Sequence, residues 1–190
     1  RGYYSGLYYK PGCKVTLRGE GKLIAESVGG TGIGSYMDHS AGDLVIESGT
    51  IEATGGLGDQ GNAGIGGSSN AGCGSITITG GKVTATGGME AAGIGCGAFS
   101  STCGNITISG GEVKAGTVDG GKEAAAIGNG YGAEAPLVTL SNCVIRVPGD
   151  NGAVTGFNGI KAKKVEPDVT NAGELEKKGV TLVIGKLEEI

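Results

Sequence analysis

The chain has 190 residues, of which 43 are glycine and only 4 proline, and its net charge is -4. Glycine without a Gly-X-Y period excludes collagen, and 38% apolar residues in regular order exclude a disordered chain. From Ala63 to Gly111 the sole charged residues are Lys82 and Glu90, so no basic footprint for nucleic acid exists there. No apolar run approaches the ~20 residues of a membrane helix, and membrane insertion is not expected. The chain opens at Arg1 without a leader, which suggests a domain or mature part of a larger multidomain protein.

Taken in chain order, the elements repeat. A weaker copy starts at Gly6 (GLYY, then CKVTLRGEGKLIAES), and the next at Thr31 (TGIG, then DLVIESGTIEAT). Others follow at Ala63 (AGIG, then GSITITGGKVTAT), Ala92 (AGIG, then GNITISGGEVKAG) and Ala125 (AAIG, then PLVTLSNCVIRV). Repeats of this length mark a solenoid of stacked units. Three apolar anchors recur at spacings of 29 to 33 residues: Ile33/Ile65/Ile94/Ile127, Ile46/Ile78/Ile108/Leu140 and Ile51/Val83/Val113/Ile145. Each anchor lies in a short stretch of period two, such as Ile76-Thr77-Ile78-Thr79, which reads as a strand with one buried face.

These features predict an all-β chain: a right-handed, three-faced parallel β-helix of about five coils over residues 1–147. Its interior columns are Leu44/Ile76/Ile106/Val138 and Ile46/Ile78/Ile108/Leu140, with Ala53/Ala85/Ala115 at a narrow side. Gly19 and Gly21, Gly80-Gly81, Gly110-Gly111 and the substitute Ser141-Asn142 supply the corners, where φ turns positive. Arg18 with Glu47 and Lys82 with Glu112 are expected as outward opposite-charge neighbours on successive coils.

After Val147 the composition changes: residues 148–190 carry 13 of the 34 charged residues but 7 of the 43 glycines. The segment is expected to cap the last coil of the same domain, through a helical or turn segment around Glu174 to Lys178 and a strand from Val180 to Ile184.

The ITITGGKVTATGG…AAGIG pattern resembles the parallel β-helix modules of bacterial secreted and cell-surface proteins, the pectate-lyase-like superfamily in its broad sense. It is most similar to the non-catalytic, carbohydrate-binding or adhesin versions. The resemblance spans roughly Leu7 to Val147 and implies an extracellular or cell-surface location. Enzymes of that superfamily work through clustered aspartates. Here Asp38, Asp43, Asp59 and Asp119 are read as scattered loop residues, and Glu47 and Glu52 lie on different faces. No catalytic residue, metal site or cofactor is therefore expected. His39, the sole histidine, reads as a solvated loop residue.

Five cysteines are present. Cys73 and Cys103 hold the same place in successive copies, so stacking brings their Cα atoms to ~5 Å, within disulfide range. Cys96 is a rival partner for Cys103, and an odd set of free buried thiols is the third reading. Asn105-Ile106-Thr107 matches a glycosylation sequon, but Asn105 is taken to open a buried strand.

Tyr9, Tyr36, Phe99 and Tyr131 each follow the first strand of their copy, whereas the copy at Ala63 has Ser68-Ser69-Asn70 there. Loops along one edge of a rigid stack are where solenoids carry binding, and flat rings stack on sugars. Tyr36, Phe99, Tyr131 and the neighbouring Asp38 are the candidate ligand-binding residues, with a glycan or host surface as partner. The rival readings are rings folded back as edge shields on a structural stalk, a polysaccharide-degrading enzyme, and an ice-binding solenoid on Thr77/Thr107/Thr139. Arg18, Val45 and Glu47 break that last array.

Overall fold

The computed structural model describes residues 4–57, 61–99, 101–118 and 124–147, and beyond them the strands at 164–166 and 180–184. The first copy forms β1 (Lys14–Leu17) and β2 (Lys22–Glu26). The second forms β3 (Ile33–Gly34), β4 (Asp43–Ile46) and β5 (Thr50–Thr54), and the third β6 (Ile65–Gly66), β7 (Ile76–Ile78) and β8 (Lys82–Gly87). The fourth forms β9 (Ile94–Gly95), β10 (Ile106–Ile108) and β11 (Glu112–Thr117), and the fifth β12 (Ile127–Gly128), β13 (Val138–Leu140) and β14 (Cys143–Val147). They are followed by β15 (Lys164–Glu166) and β16 (Val180–Ile184).

Each strand pairs with its counterpart one copy later, giving three sheets: β1-β4-β7-β10-β13, β2-β5-β8-β11-β14 extended by β16 and β15, and β3-β6-β9-β12. Pairing within the coils is parallel and in the register of the repeat, with Ile46 on Ile78, Ile78 on Ile108 and Ile108 on Leu140. The chain is thus a three-faced parallel β-solenoid. It has about four complete turns, not five. The first copy lacks a short strand of its own and meets the third sheet only through a bridge from Leu7 to Ile33.

The period-two pattern decides which side chains enter the core. Leu44, Ile46, Ile76, Ile78, Ile106, Ile108 and Val138 are fully enclosed, and Ala53, Ala85 and Ala115 line the narrow side. The alternate residues Val45, Thr77 and Thr107 are half-buried on the outer face. Corners turn through positive φ at Gly19, Gly49, Gly81 and Gly111. In the last turn Asn142 takes that conformation (φ 48°), as a short polar side chain allows.

Two expectations are amended. Lys82 and Glu112 are register partners, yet the Glu112 carboxylate accepts instead from Arg146 Nε at 3.0 Å, and Lys22 pairs with Glu52 at 2.8 Å. Both pairs run diagonally between strands, because long side chains reach past the residue directly opposite. Asp43 opens β4 and is no loop residue; its Oδ1 accepts the Ser75 backbone N–H at 2.8 Å.

The strand expected at Val180–Ile184 is present as β16 and lies antiparallel on β14. Asp59, Asp119 and the segment Glu174 to Lys178 lie outside the described residues.

Candidate functional site

Four equivalent loops leave the short strands β3, β6, β9 and β12 and form one edge of the solenoid. Five residues after the isoleucine that opens each of these strands, the backbone enters the left-handed region: Asp38 (φ 61°), Asn70 (55°), Phe99 (61°) and Gly132 (69°). Asp, Asn and Gly suit that conformation; a bulky aromatic does not. Phe99 is held there by its neighbours, its N–H donating to the Tyr131 carbonyl at 2.6 Å while the Tyr131 N–H donates to the Glu90 carbonyl at 2.8 Å.

The predicted aromatic residues fall into two groups. Phe99 and Tyr131 stand on successive turns, 41% and 40% exposed, with ring centroids 6.0 Å apart at 80°. Tyr36 sits farther toward the N-terminus among rings of its own: Tyr8 at 4.8 Å, Tyr4 at 5.3 Å, and His39 stacked at 4.5 Å and 13°. Between the groups lies the loop of Ser68, Ser69 and Asn70, which is small and mostly buried. Asp38 is exposed beside Tyr36 in the Tyr36–His39 turn. His39 is exposed too, and its Nδ1 lies 2.9 Å from the Met37 carbonyl, so that nitrogen carries the hydrogen.

Tyr9 departs from the expected placement. It shares the face of Leu7, two residues earlier, and so points inward with the core, only 6% exposed. Burial foremost, with Cys73 and Asp43 adding, pushes its phenol above the ordinary range. Asn105 is corrected as well: alternation about the buried Ile106 turns it outward, and it stands exposed one residue before β10.

Tyr4 and Tyr8 were not expected at this edge, since they lie outside the motif of the later copies. Nor was a run of buried hydroxyls behind the loops. The Ser68 Oγ donates to Asn62 Oδ1 (2.6 Å), the Ser35 Oγ accepts from the Ser68 N–H (2.6 Å), and the Ser101 Oγ donates to the Ala71 carbonyl (3.1 Å). The last two bonds satisfy loop backbone that the apolar core cannot, and all three fix the edge on which the rings stand. No repeated position announced them: Ser35 directly follows Gly-Ile-Gly, whereas Gly67, Cys96 and Asn129 stand there in the later copies.

All five cysteines are free thiols. Cys73 and Cys103 are bridge partners on successive turns. The Cys96 thiol is held above its ordinary range first by the Cys103 thiol and then by burial; burial foremost and then Cys73 do the same to Cys103. Burial pushes the Cys143 thiol up to about 11. Because the thiolate is the nucleophile, a raised pKa keeps these groups inert. An aromatic disulfide reagent at about pH 8 should label the exposed Cys13 quickly, the half-buried Cys103 slowly, and the buried Cys73, Cys96 and Cys143 only on unfolding. Rapid release of more than one equivalent from the native chain would contradict this burial.

The carboxylates whose contacts are visible are engaged in holding coils together, as with Asp43, Glu52 and Glu112. Among the described residues no group of three His, Cys, Asp or Glu is placed to hold a metal ion. What the edge offers is ring faces and hydrogen-bonding groups on a rigid frame.

A family model described as Beta helix repeat matches residues 44–69, 76–98 and 106–131. Each match runs from the start of an interior strand to the edge loop of the next turn, so the model finds the same coil three times in the register seen here. No curated protein and no solved structure matches the chain.

Proposed function

We propose that this β-solenoid is a non-enzymatic module of a bacterial surface protein, outside the cell, that binds an extended glycan along its aromatic edge. On this reading it is kin to the non-catalytic members of the pectate-lyase-like superfamily. The observation that carries the proposal is the Phe99–Tyr131 pair. Two rings stand two-fifths exposed on adjacent turns, and Phe99 occupies a backbone conformation that costs about 1–2 kcal/mol for a bulky residue. Strain kept at a surface ring supports a use for that ring other than folding. The distance from Tyr36 to Tyr131 along the axis is three turns, or ~15 Å at strand spacing, a span suited to several sugar units.

A glycan array of the purified chain tests this directly. Binding should appear, and Phe99→Gly with Tyr131→Ala should weaken it by about tenfold or more, the loss of roughly 1.4 kcal/mol of stacking. The melting temperature should hold or rise for Phe99→Gly alone, because glycine adopts φ 61° without strain. No binding by the parent chain, or binding indifferent to both rings, would remove the proposal.

The structural stalk is the second reading, favoured by the mutual packing of Tyr4, Tyr8 and Tyr36. On that reading Tyr36→Ala lowers the melting temperature by several degrees and no glycan binds.

A further inference from the structure

Among the described residues the second sheet ends in β2, and the outer face of that strand breaks the pattern of its column. Successive residues in this column are Ile24, Glu52, Thr84, Lys114 and Arg146. Four of the five are polar; the terminal one is an isoleucine 56% exposed. It is flanked on the same face by the exposed Lys22 and Glu26. An apolar side chain on an unpaired edge is what solenoids and sheets ordinarily avoid, because a free edge recruits another strand.

The backbone of β2 is set for such a strand. The Gly21 carbonyl accepts from Thr50 N–H and the Ser27 N–H donates to the Thr54 carbonyl, so residues 21, 23, 25 and 27 direct their main-chain groups toward β5. Alternation then directs those of Lys22, Ile24 and Glu26 away from the sheet. These are the three residues whose side chains lie outward. At the adjoining corner, where β1 meets β2, a cleft of about 350 Å³ reaches the interior residues Leu17, Leu23 and Ile51. At the opposite end of the same sheet an antiparallel strand, β16, already covers the last parallel one.

We infer that a second copy of this chain docks on the β2 edge, the two β2 strands pairing antiparallel about a two-fold axis through Ile24. The sequence Lys22-Leu23-Ile24-Ala25-Glu26 is complementary to its own reverse. With Ile24 opposite Ile24, each Lys22, whose Nζ also contacts Glu52 of its own copy at 2.8 Å, faces the Glu26 of the other copy, and Leu23 lies opposite Ala25 on the interior face. All three outward pairs fall on hydrogen-bonded positions of the antiparallel ladder, the register the free main-chain groups require. Closed two-fold pairing consumes the edge on both copies and so stops at a dimer. A parallel coil could also stack on this edge, but it would not exploit the reversed charge order. The inference is independent of what the aromatic edge binds.

Sedimentation velocity on the full 190-residue chain at tens of micromolar tests it. A dimer is expected. Glu26→Lys sets like charges opposite one another at both ends of the ladder and should weaken the dimer by about tenfold or more. Adding Lys22→Glu restores the opposite pairing and should restore the dimer. Ile24→Asp should give monomer with unchanged far-ultraviolet circular dichroism. A monomeric parent chain overturns the inference. So does a dimer indifferent to Glu26→Lys, which would lie at another surface, or one that the double charge reversal fails to restore.

Discussion

Replacing Gly95 by alanine should unfold the solenoid or cost more than about 4 kcal/mol, the largest loss expected of any single change considered. Gly34, Gly66, Gly95 and Gly128 form a column in the short-strand sheet, with φ of 135°, 133°, 134° and 137°. Two penalties coincide at Gly95. The first is conformational, since L side chains rarely adopt that φ. The second is spatial: a Cβ there would run into the backbone carbonyl of Gly128 on the next turn. A carbonyl fixed in a sheet cannot step aside as a side-chain tip can. Gly12→Ala is the matched control, because Gly12 has φ 78° with nothing within 4 Å of a Cβ. It should cost only about 1 kcal/mol, the conformational share alone. Urea titrations followed by circular dichroism compare them. Similar losses would mean that the backbone column does not hold the coils at this spacing.

The glycine column also marks a boundary of what the sequence discloses. The Gly-Ile-Gly motif, Ala-Ile-Gly in the last copy, is plain in the repeats, but as letters it reads as punctuation. That its second glycine allows backbone to stack on backbone emerges only when the turns are superposed. Interior columns are different: a period of two leaves one face apolar, and equal spacing permits one register, so Ile78 over Ile108 follows from counting. Corner residues were likewise legible, down to Asn142, because few residues tolerate positive φ.

Side chains that reach beyond their own column were not legible. Glu112 prefers Arg146 to the Lys82 opposite it because flexible chains settle on geometry that register does not contain. Of the candidate site, the proximity of Phe99 and Tyr131 was readable, since both occupy the edge loops of neighbouring turns. The company of Tyr36 was not, because Tyr4 and Tyr8 come from the incomplete first turn. Tyr9 was misplaced by counting its offset from the strand anchor without following the alternation from Leu7 inward.

Ile108→Ala should cost about 2–5 kcal/mol, and Thr107→Ala, its immediate neighbour, less than about 1 kcal/mol. Ile108 is fully enclosed, with Ile78 on the turn below and Leu140 on the turn above. Removing its outer carbons leaves a gap that the stack cannot close. Parallel ladders on both sides fix the strands ~4.8 Å apart, and the neighbouring isoleucines are held by their own ladders. The cost should therefore sit high in the range for such truncations. Thr107 lies on the outer face between Thr77 and Thr139, half-buried, and its truncation opens no cavity. Leu17→Ala adds a third point. Leu17 occupies the same column in the first turn, where the stack ends and the side chain is only half-buried, so its loss should fall between the other two. A denaturant titration of the three variants orders them. Equal losses at Ile108 and Thr107 would overturn the assignment of inner and outer faces. A Leu17 loss as large as that at Ile108 would mean that the first turn is covered as fully as the middle of the stack, as the proposed pairing of β2 edges would achieve in part. Measuring the Leu17 variant above and below the dimer's dissociation concentration therefore separates burial within the solenoid from burial between copies.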